Sequence, residues 1–178
     1  DVLVEDVHFV LKWHDAHRLG RKSIAVNLSD IAAMGGNPQF ALISLVLPAR
    51  ISDVWLDGFH AGAAEMLDNH GCLLIGGDIS SGATLTINVM LIGSAHPAKV
   101  VYRSGGAVGQ DIYVTGYLGA SAAGLQLLKR GDTKTVYDNL IGAHLDPAPQ
   151  IEIGRALAER GVAMAMQDIS DGLATDLS

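Results

Sequence analysis

Three groups of aspartates stand beside glycines or small residues in this chain: Asn27-Leu28-Ser29-Asp30, Gly76-Gly77-Asp78 and Asp168-Ile169-Ser170-Asp171-Gly172. Carboxylates are hard oxygen ligands, and glycine lets backbone N–H groups come close to phosphate. The combination suits Mg²⁺ held between carboxylates and the phosphates of a nucleotide. Two unit charges ~4 Å apart repel by about 4 kcal/mol at an effective dielectric near 20. Several aspartates facing a polyphosphate would expel it unless divalent cations lay between. Arg103, in Tyr102-Arg103-Ser104-Gly105-Gly106, could clamp a phosphate with its planar fork.

Each piece has an ordinary alternative. Asp30 could meet a distant cation, although no Lys or Arg stands three or four residues from it on its helix. Gly76-Gly77-Asp78 could be a turn after a strand. Ser170 or Asp171 could cap a helix, which leaves Asp168 unexplained. Arg103 could be a solvated linker residue. Asp1 and His8 flank the first strand and alone carry little.

Other signatures are missing. Gly20-Arg21-Lys22-Ser23 ends like a phosphate-binding loop but lacks its earlier glycine. There is no G-x-G-x-x-G, G-x-S-x-G or H-E-x-x-H. Cys72 lies in an apolar run and reads as core. His14, His17, His60, His70, His96 and His144 show no metal-ligand spacing.

The elements that must position these residues follow from periodicity. Residues 3–10 alternate as a strand. Residues 18–34 read as a helix with Ile24, Leu28 and Ile31 on one stripe and Ser23, Asn27 and Asp30 on another. The helix is apolar almost all round, so it is buried and Asp30 faces a site. Ala41–Leu47 is a buried strand. Ser52 caps a helix that Gly71 closes. Cys72–Ile75 is a short buried strand, and Leu85–Ile92 is another strand. Beyond a small-residue stretch over 93–110, the pattern predicts a strand over 111–115, helices over 119–130 and 149–160, and a strand over 162–166. Without strict alternation of strand and helix, the class is α+β.

Composition bounds the function. The chain has 178 residues and a net charge of −7, which argues against a general nucleic-acid binder. No apolar run reaches the roughly 20 residues that span a bilayer. A single cysteine excludes an internal disulfide framework and fits a reducing, cytoplasmic setting. Glycine, at 21 of 178 residues or about 12 %, exceeds the usual ~7 %. The chain starts without Met and stops at Ser178, at the start of a helix, which reads as a piece of a longer protein.

Taken in order, Asp1-Val-Leu-Val-Glu-Asp-Val-His8-Phe9, Asn27-Leu-Ser-Asp30-Ile-Ala-Ala-Met34-Gly35, Leu74-Ile-Gly-Gly-Asp78 and Asp168-Ile-Ser-Asp171-Gly-Leu173 resemble the thiamine-monophosphate kinase family. That family belongs to the aminoimidazole-ribonucleotide synthetase-like superfamily. The resemblance implies an enzyme that moves the γ-phosphoryl of ATP onto thiamine monophosphate, giving thiamine diphosphate and ADP. It implies that Asp1, Asp30, Asp78, Asp168 and Asp171 bind Mg²⁺. It implies that Gly77, Asp78, Arg103 and Ser170 contact ATP and that His8 contacts the thiamine substrate. No protein nucleophile is expected.

The resemblance further implies a homodimer whose N-terminal domains pair through a mixed sheet. Residues 1–100 would form this metal- and ATP-binding α/β domain, and 101–178 the start of a second α/β domain, cut at its C-terminus. The family's Gly-Asp-Asp segment would precede Asp1 and a Gly-Gly-Glu-Asp segment would follow Ser178, so residues 1–178 alone are not expected to turn over. Gly109-Gln110-Asp111 departs from the family's Gly-Asp at the junction. The alternatives are a sister ATP-using enzyme of aminoimidazole-ribonucleotide synthetase, selenophosphate synthetase or hydrogenase-maturation type, or a non-catalytic nucleotide-binding module.

Overall fold

Strand β1 (Val2–Val4) is shorter than its alternating sequence predicts. Asp6 turns the chain with a positive φ of 63°, and Glu5 bridges to Phe9, so the run ends at Val4. The computed structural model describes residues 1–178. Helix α1 (Ala16–Ala33) follows, then β2 (Asn37–Leu47), α2 (Asp53–Asn69), β3 (Leu73–Ser81) and β4 (Thr86–Ser94). The four strands form one mixed sheet in the order β1-β4-β2-β3. β1 pairs with β4 antiparallel, and β2 with β3 parallel.

The chain divides into two compact units. The first holds residues 1–27, 38–92 and 145–147. Its core takes alternate residues from the strands: Ala41, Ile43 and Leu45 of β2, and Ile87 and Val89 of β4, are buried. Phe59, Ala63, Met66 and Leu67 of α2 complete it. Burying each large side chain contributes about 1.5–3 kcal/mol. Ser52 caps α2 as expected, its hydroxyl accepting from Trp55 N–H at 3.2 Å. Two glycines bring α1 and α2 together. A Cβ on Gly20 would lie 2.0 Å from the Phe59 carbonyl oxygen, and one on Gly62 would lie 1.9 Å from that of His17. Arg21 ties residues 145–147 to this unit, its Nε donating to Asp146 at 2.9 Å.

Two members of the polar stripe on α1 donate to carbonyls of their own helix. Buried Ser23 donates to the Leu19 carbonyl at 2.6 Å, and buried Asn27 to the Ser23 carbonyl at 2.8 Å. Asn27 Oδ1 also accepts from the Asp1 nitrogen at 2.7 Å.

β3 runs further than Cys72–Ile75, and it is not buried: as an edge strand it leaves Leu73, Leu74 and Ile75 exposed. Gly76-Gly77-Asp78 lies inside the strand and forms no turn after it, because β2 offers a ladder as far as Leu47 opposite Ser81. The register shifts once: Ala41 faces Leu74 and Leu42 faces Gly76, leaving Ile75 as an extra residue.

The second unit holds residues 28–37, 93–144 and 148–178. Its helices are α3 (Ala120–Arg130), α4 (Asp138–Leu145, whose last residue belongs to the first unit), α5 (Ile151–Arg160) and the single-turn α6 (Leu173–Asp176). Helix α4 is not predicted by the sequence pattern. Gly154 of α5 packs on the end of α1, where a Cβ would lie 2.1 Å from the Ala32 carbonyl oxygen. The predicted strands over 111–115 and 162–166 do not form. Ile112, Tyr113, Val162 and Met164 are exposed, and no neighbouring strand completes their backbone hydrogen bonds.

Candidate functional site

In the second unit, three short segments meet around a cavity of about 310 Å³. The end of α1 supplies Asp30, Ala33 and Met34; the stretch after β4 supplies Val101, Tyr102 and Arg103; the stretch after α5 supplies Met166, Gln167 and Asp168. Two backbone contacts set this meeting. Val101 N–H donates to the Met34 carbonyl at 3.3 Å. Gly105, at the end of a 3₁₀ turn that begins at Arg103, lies on the Met164 carbonyl, where a Cβ would come within 1.9 Å of the oxygen. Only glycine allows that approach.

Asp30 and Asp168 therefore look into one cavity with Arg103. Asp30 is solvent-exposed and not buried as its helix predicts, yet the atoms around its carboxylate crowd it. Its pKa is raised, first by this desolvation and then by the negative charge of Asp168. Two carboxylates that line one cavity, with the charge of one raising the pKa of the other, suit a divalent cation. They fit as part of a Mg²⁺ site and do not complete one. No three acidic, histidine or cysteine side chains of the chain come together as a metal-holding group.

The loop after Asp168 is ordered by side chains. Ser170 Oγ donates to Asp168 Oδ2 at 2.9 Å. Asp176 Oδ2 accepts N–H bonds from Ser170, Asp171 and Gly172 at 3.0, 3.2 and 3.1 Å. Asp171 is exposed at the bend. Sequence reasoning misses Asp176. Its signal is an acid one helical turn beyond a Ser-Asp-Gly bend, where it can reach back to free N–H groups.

The remaining expected residues lie in the first unit. Gly77 pairs with Ile43 so closely that a Cβ would sit 1.8 Å from the Ile43 carbonyl oxygen. Gly77 and Asp78 line a second cavity of about 320 Å³ with Ile43 and His60. Asp78 Oδ1 accepts from Ile79 N–H at 2.9 Å. His8 Nδ1 accepts from Val4 N–H at 3.0 Å, which leaves the proton of the neutral ring on exposed Nε2. Asp1 stands at the start of β1, its carbonyl accepting from Val89 N–H at 2.9 Å.

Residues 1–95 match the family described as AIR synthase related protein, N-terminal domain. The chain belongs to this family. It is 41 % identical to the thiamine-monophosphate kinase of Buchnera aphidicola from Acyrthosiphon pisum over 180 residues, covering 99 % of this chain and 54 % of that protein. It is 37 % identical to the Bacillus subtilis thiamine-monophosphate kinase over 183 residues, covering 100 % and 56 %. The chain thus spans about half the length of the curated relatives it matches. A structure described as AaThiL complexed with AMPPCP and TMP superposes with a TM-score of 0.92 at 36 % identity, covering 99 % of this chain and 56 % of that one. A hydrogenase maturation protein HypE shares the fold, with a TM-score of 0.69 at 16 % identity over 88 % of this chain and 48 % of that one. No helix is long and apolar enough to cross a membrane.

Proposed function

We propose that the protein carrying this chain transfers the γ-phosphoryl group of ATP to thiamine monophosphate, giving thiamine diphosphate and ADP. What carries the reading is the shared cavity of Asp30, Arg103 and Asp168, on a chain matched along 99 % of its length by a thiamine-monophosphate kinase. In this reading a phosphate oxygen of thiamine monophosphate attacks the γ-phosphorus as the bond to ADP breaks. No side chain forms a covalent intermediate, so the protein's part is to position two phosphates in line and to balance their charge.

Asp1, Asp30, Asp78, Asp168 and Asp171 are the residues we assign to Mg²⁺, which when bound would screen the carboxylates from the phosphates. Arg103 offers a planar donor pair to a phosphate. Gly77 lets the ATP phosphates approach the β3 backbone, and Asp78 and Ser170 complete that contact. His8 presents Nε2–H to the thiamine substrate. Its Nδ1 bond to Val4 N–H supports this, because it fixes the ring and the tautomer.

We also propose that residues 1–100 act as the metal- and ATP-binding domain and that residues 101–178 begin a second one. The chain works in the cytoplasm as a homodimer, in this reading, through the free edge of its sheet. Supporting this, β3 is one of the sheet's two edge strands and leaves Leu73, Leu74, Ile75 and Ile79 exposed. An uncovered apolar edge is a template for pairing.

The test is a product assay on the full-length protein with ATP, Mg²⁺ and thiamine monophosphate, read by chromatography and mass detection. Thiamine diphosphate and ADP in equal amounts, lost on adding EDTA, are expected. A folded, ATP-binding protein that makes no thiamine diphosphate would overturn the assignment of the acceptor.

A further inference from the structure

We propose that Asp176 is a positioning residue for the Asp168 carboxylate, an inference that rests on the phosphoryl-transfer reading above. One oxygen, Oδ2 of Asp176, collects the N–H groups of Ser170, Asp171 and Gly172 at 3.0, 3.2 and 3.1 Å. Three consecutive amides converge on one point only when the backbone curls around it. Gly172, with a φ of 115°, makes that curl possible. The turn is then locked from the other side: Thr175 and Asp176 N–H donate to the Gly172 carbonyl at 2.9 and 3.0 Å.

The curl has a consequence at the cavity. Ser170, whose N–H is held by Asp176, donates its hydroxyl to Asp168 Oδ2 at 2.9 Å. A relay therefore runs from Asp176 through Ser170 to Asp168, and Asp168 faces Asp30 in the cavity. Two like charges held near each other separate unless something fixes them. The hydrogen bond from Ser170 supplies that constraint on Asp168, and Asp176 supplies it on Ser170. Asp176 itself does not line the cavity.

The experiment uses the full-length protein and its Asp176→Ala and Asp176→Asn variants, with two readouts. The first is hydrogen exchange at the amides of residues 170–172 with no ligand added. The second is Mn²⁺ affinity in the presence of a non-hydrolysable ATP analogue, from the electron paramagnetic resonance signal of free Mn²⁺. Asp176→Ala is expected to lose the amide protection and to weaken Mn²⁺ about tenfold, the size typical of removing an outer partner of a metal ligand. Asp176→Asn keeps an acceptor oxygen and is expected to stay within about threefold on both.

Folded Asp176→Ala that binds Mn²⁺ as the wild type does would overturn the proposal. So would an Asn variant as weak as the Ala variant, since the charge and not the bond would then be at work. Tighter analogue binding by Asp176→Ala would make Asp176 a plug in a phosphate site and also overturn it. A wild-type protein that binds no Mn²⁺ with the analogue would instead overturn the metal reading of Asp30 and Asp168, on which the relay's purpose depends.

Discussion

Asp168 raises the pKa of Asp30, adding its charge to the larger effect of desolvation. A carboxyl whose folded pKa lies above its unfolded value favours folding while protonated and loses that contribution as pH rises through the folded pKa. At neutral pH, ionised Asp30 therefore works against the free protein.

Asp30→Asn should for that reason raise the melting temperature of the ligand-free protein at pH 7. The gain should shrink as pH falls into the carboxylate range, where wild-type Asp30 takes up its proton. On the proposed phosphoryl-transfer reading, the same change should cost about 10²-fold or more in rate, because it removes a charge that would hold the metal. Scanning calorimetry over pH, beside the product assay, checks both arms. A variant less stable at pH 7 yet fully active would contradict each.

Gly62→Ala should destabilise the protein by about 2 kcal/mol or more. The added Cβ would stand 1.9 Å from the His17 carbonyl oxygen, and backbone on α1 cannot swing aside as a side chain can. Urea unfolding with an unchanged slope and a lowered midpoint is the expected outcome. An unchanged midpoint would mean that α1 and α2 do not cross at this glycine.

Lys22 is buried, and burial lowers its pKa to about 8. Between that value and the ~10.4 of an unfolded lysine, the unfolded chain holds the extra proton, so stability rises with pH across this window. Below about pH 8 both states are protonated, and the full cost of the buried charge is present. Wild type minus Lys22→Met, followed by urea unfolding from pH 7 to 10.5, should show this rise. A flat difference would place the ammonium in water.

Replacing Ile79 by Lys puts a charge on the edge strand β3, which should abolish pairing through that edge. Sedimentation equilibrium of the full-length variant should report a monomer where the wild type reports a dimer. A variant that still dimerises would move the interface elsewhere.

Much of the site's frame is legible in the sequence, for physical reasons. Helices α1 and α2 announce themselves because apolar spacing and a Ser52 cap act locally. Asp30 and Asp168 stand out because a carboxylate among small and apolar residues needs a reason. Non-local facts are harder to read. Gly76-Gly77-Asp78 looks like a turn because glycine and aspartate disfavour strands, yet the parallel ladder with β2 outweighs that preference. Ile112-Tyr113-Val114 looks like a strand, but local preference cannot supply a partner. Asp176 is inconspicuous because its role lies in three backbone amides that exist only once the bend has formed.

The extra residue in β3 sets which way the glycine-aspartate segment points. Because of it, Gly77 stands opposite Ile43, whose side chain is buried, and Asp78 opposite Ser44. Paired residues in a sheet share a face, and faces alternate along the strand. With an unbroken register, Asp78 would fall opposite Leu45 and send its carboxylate toward the core face. Parity is therefore part of this site's specification: shortening the run before Gly76 by one residue would keep every motif letter and turn the aspartate inward.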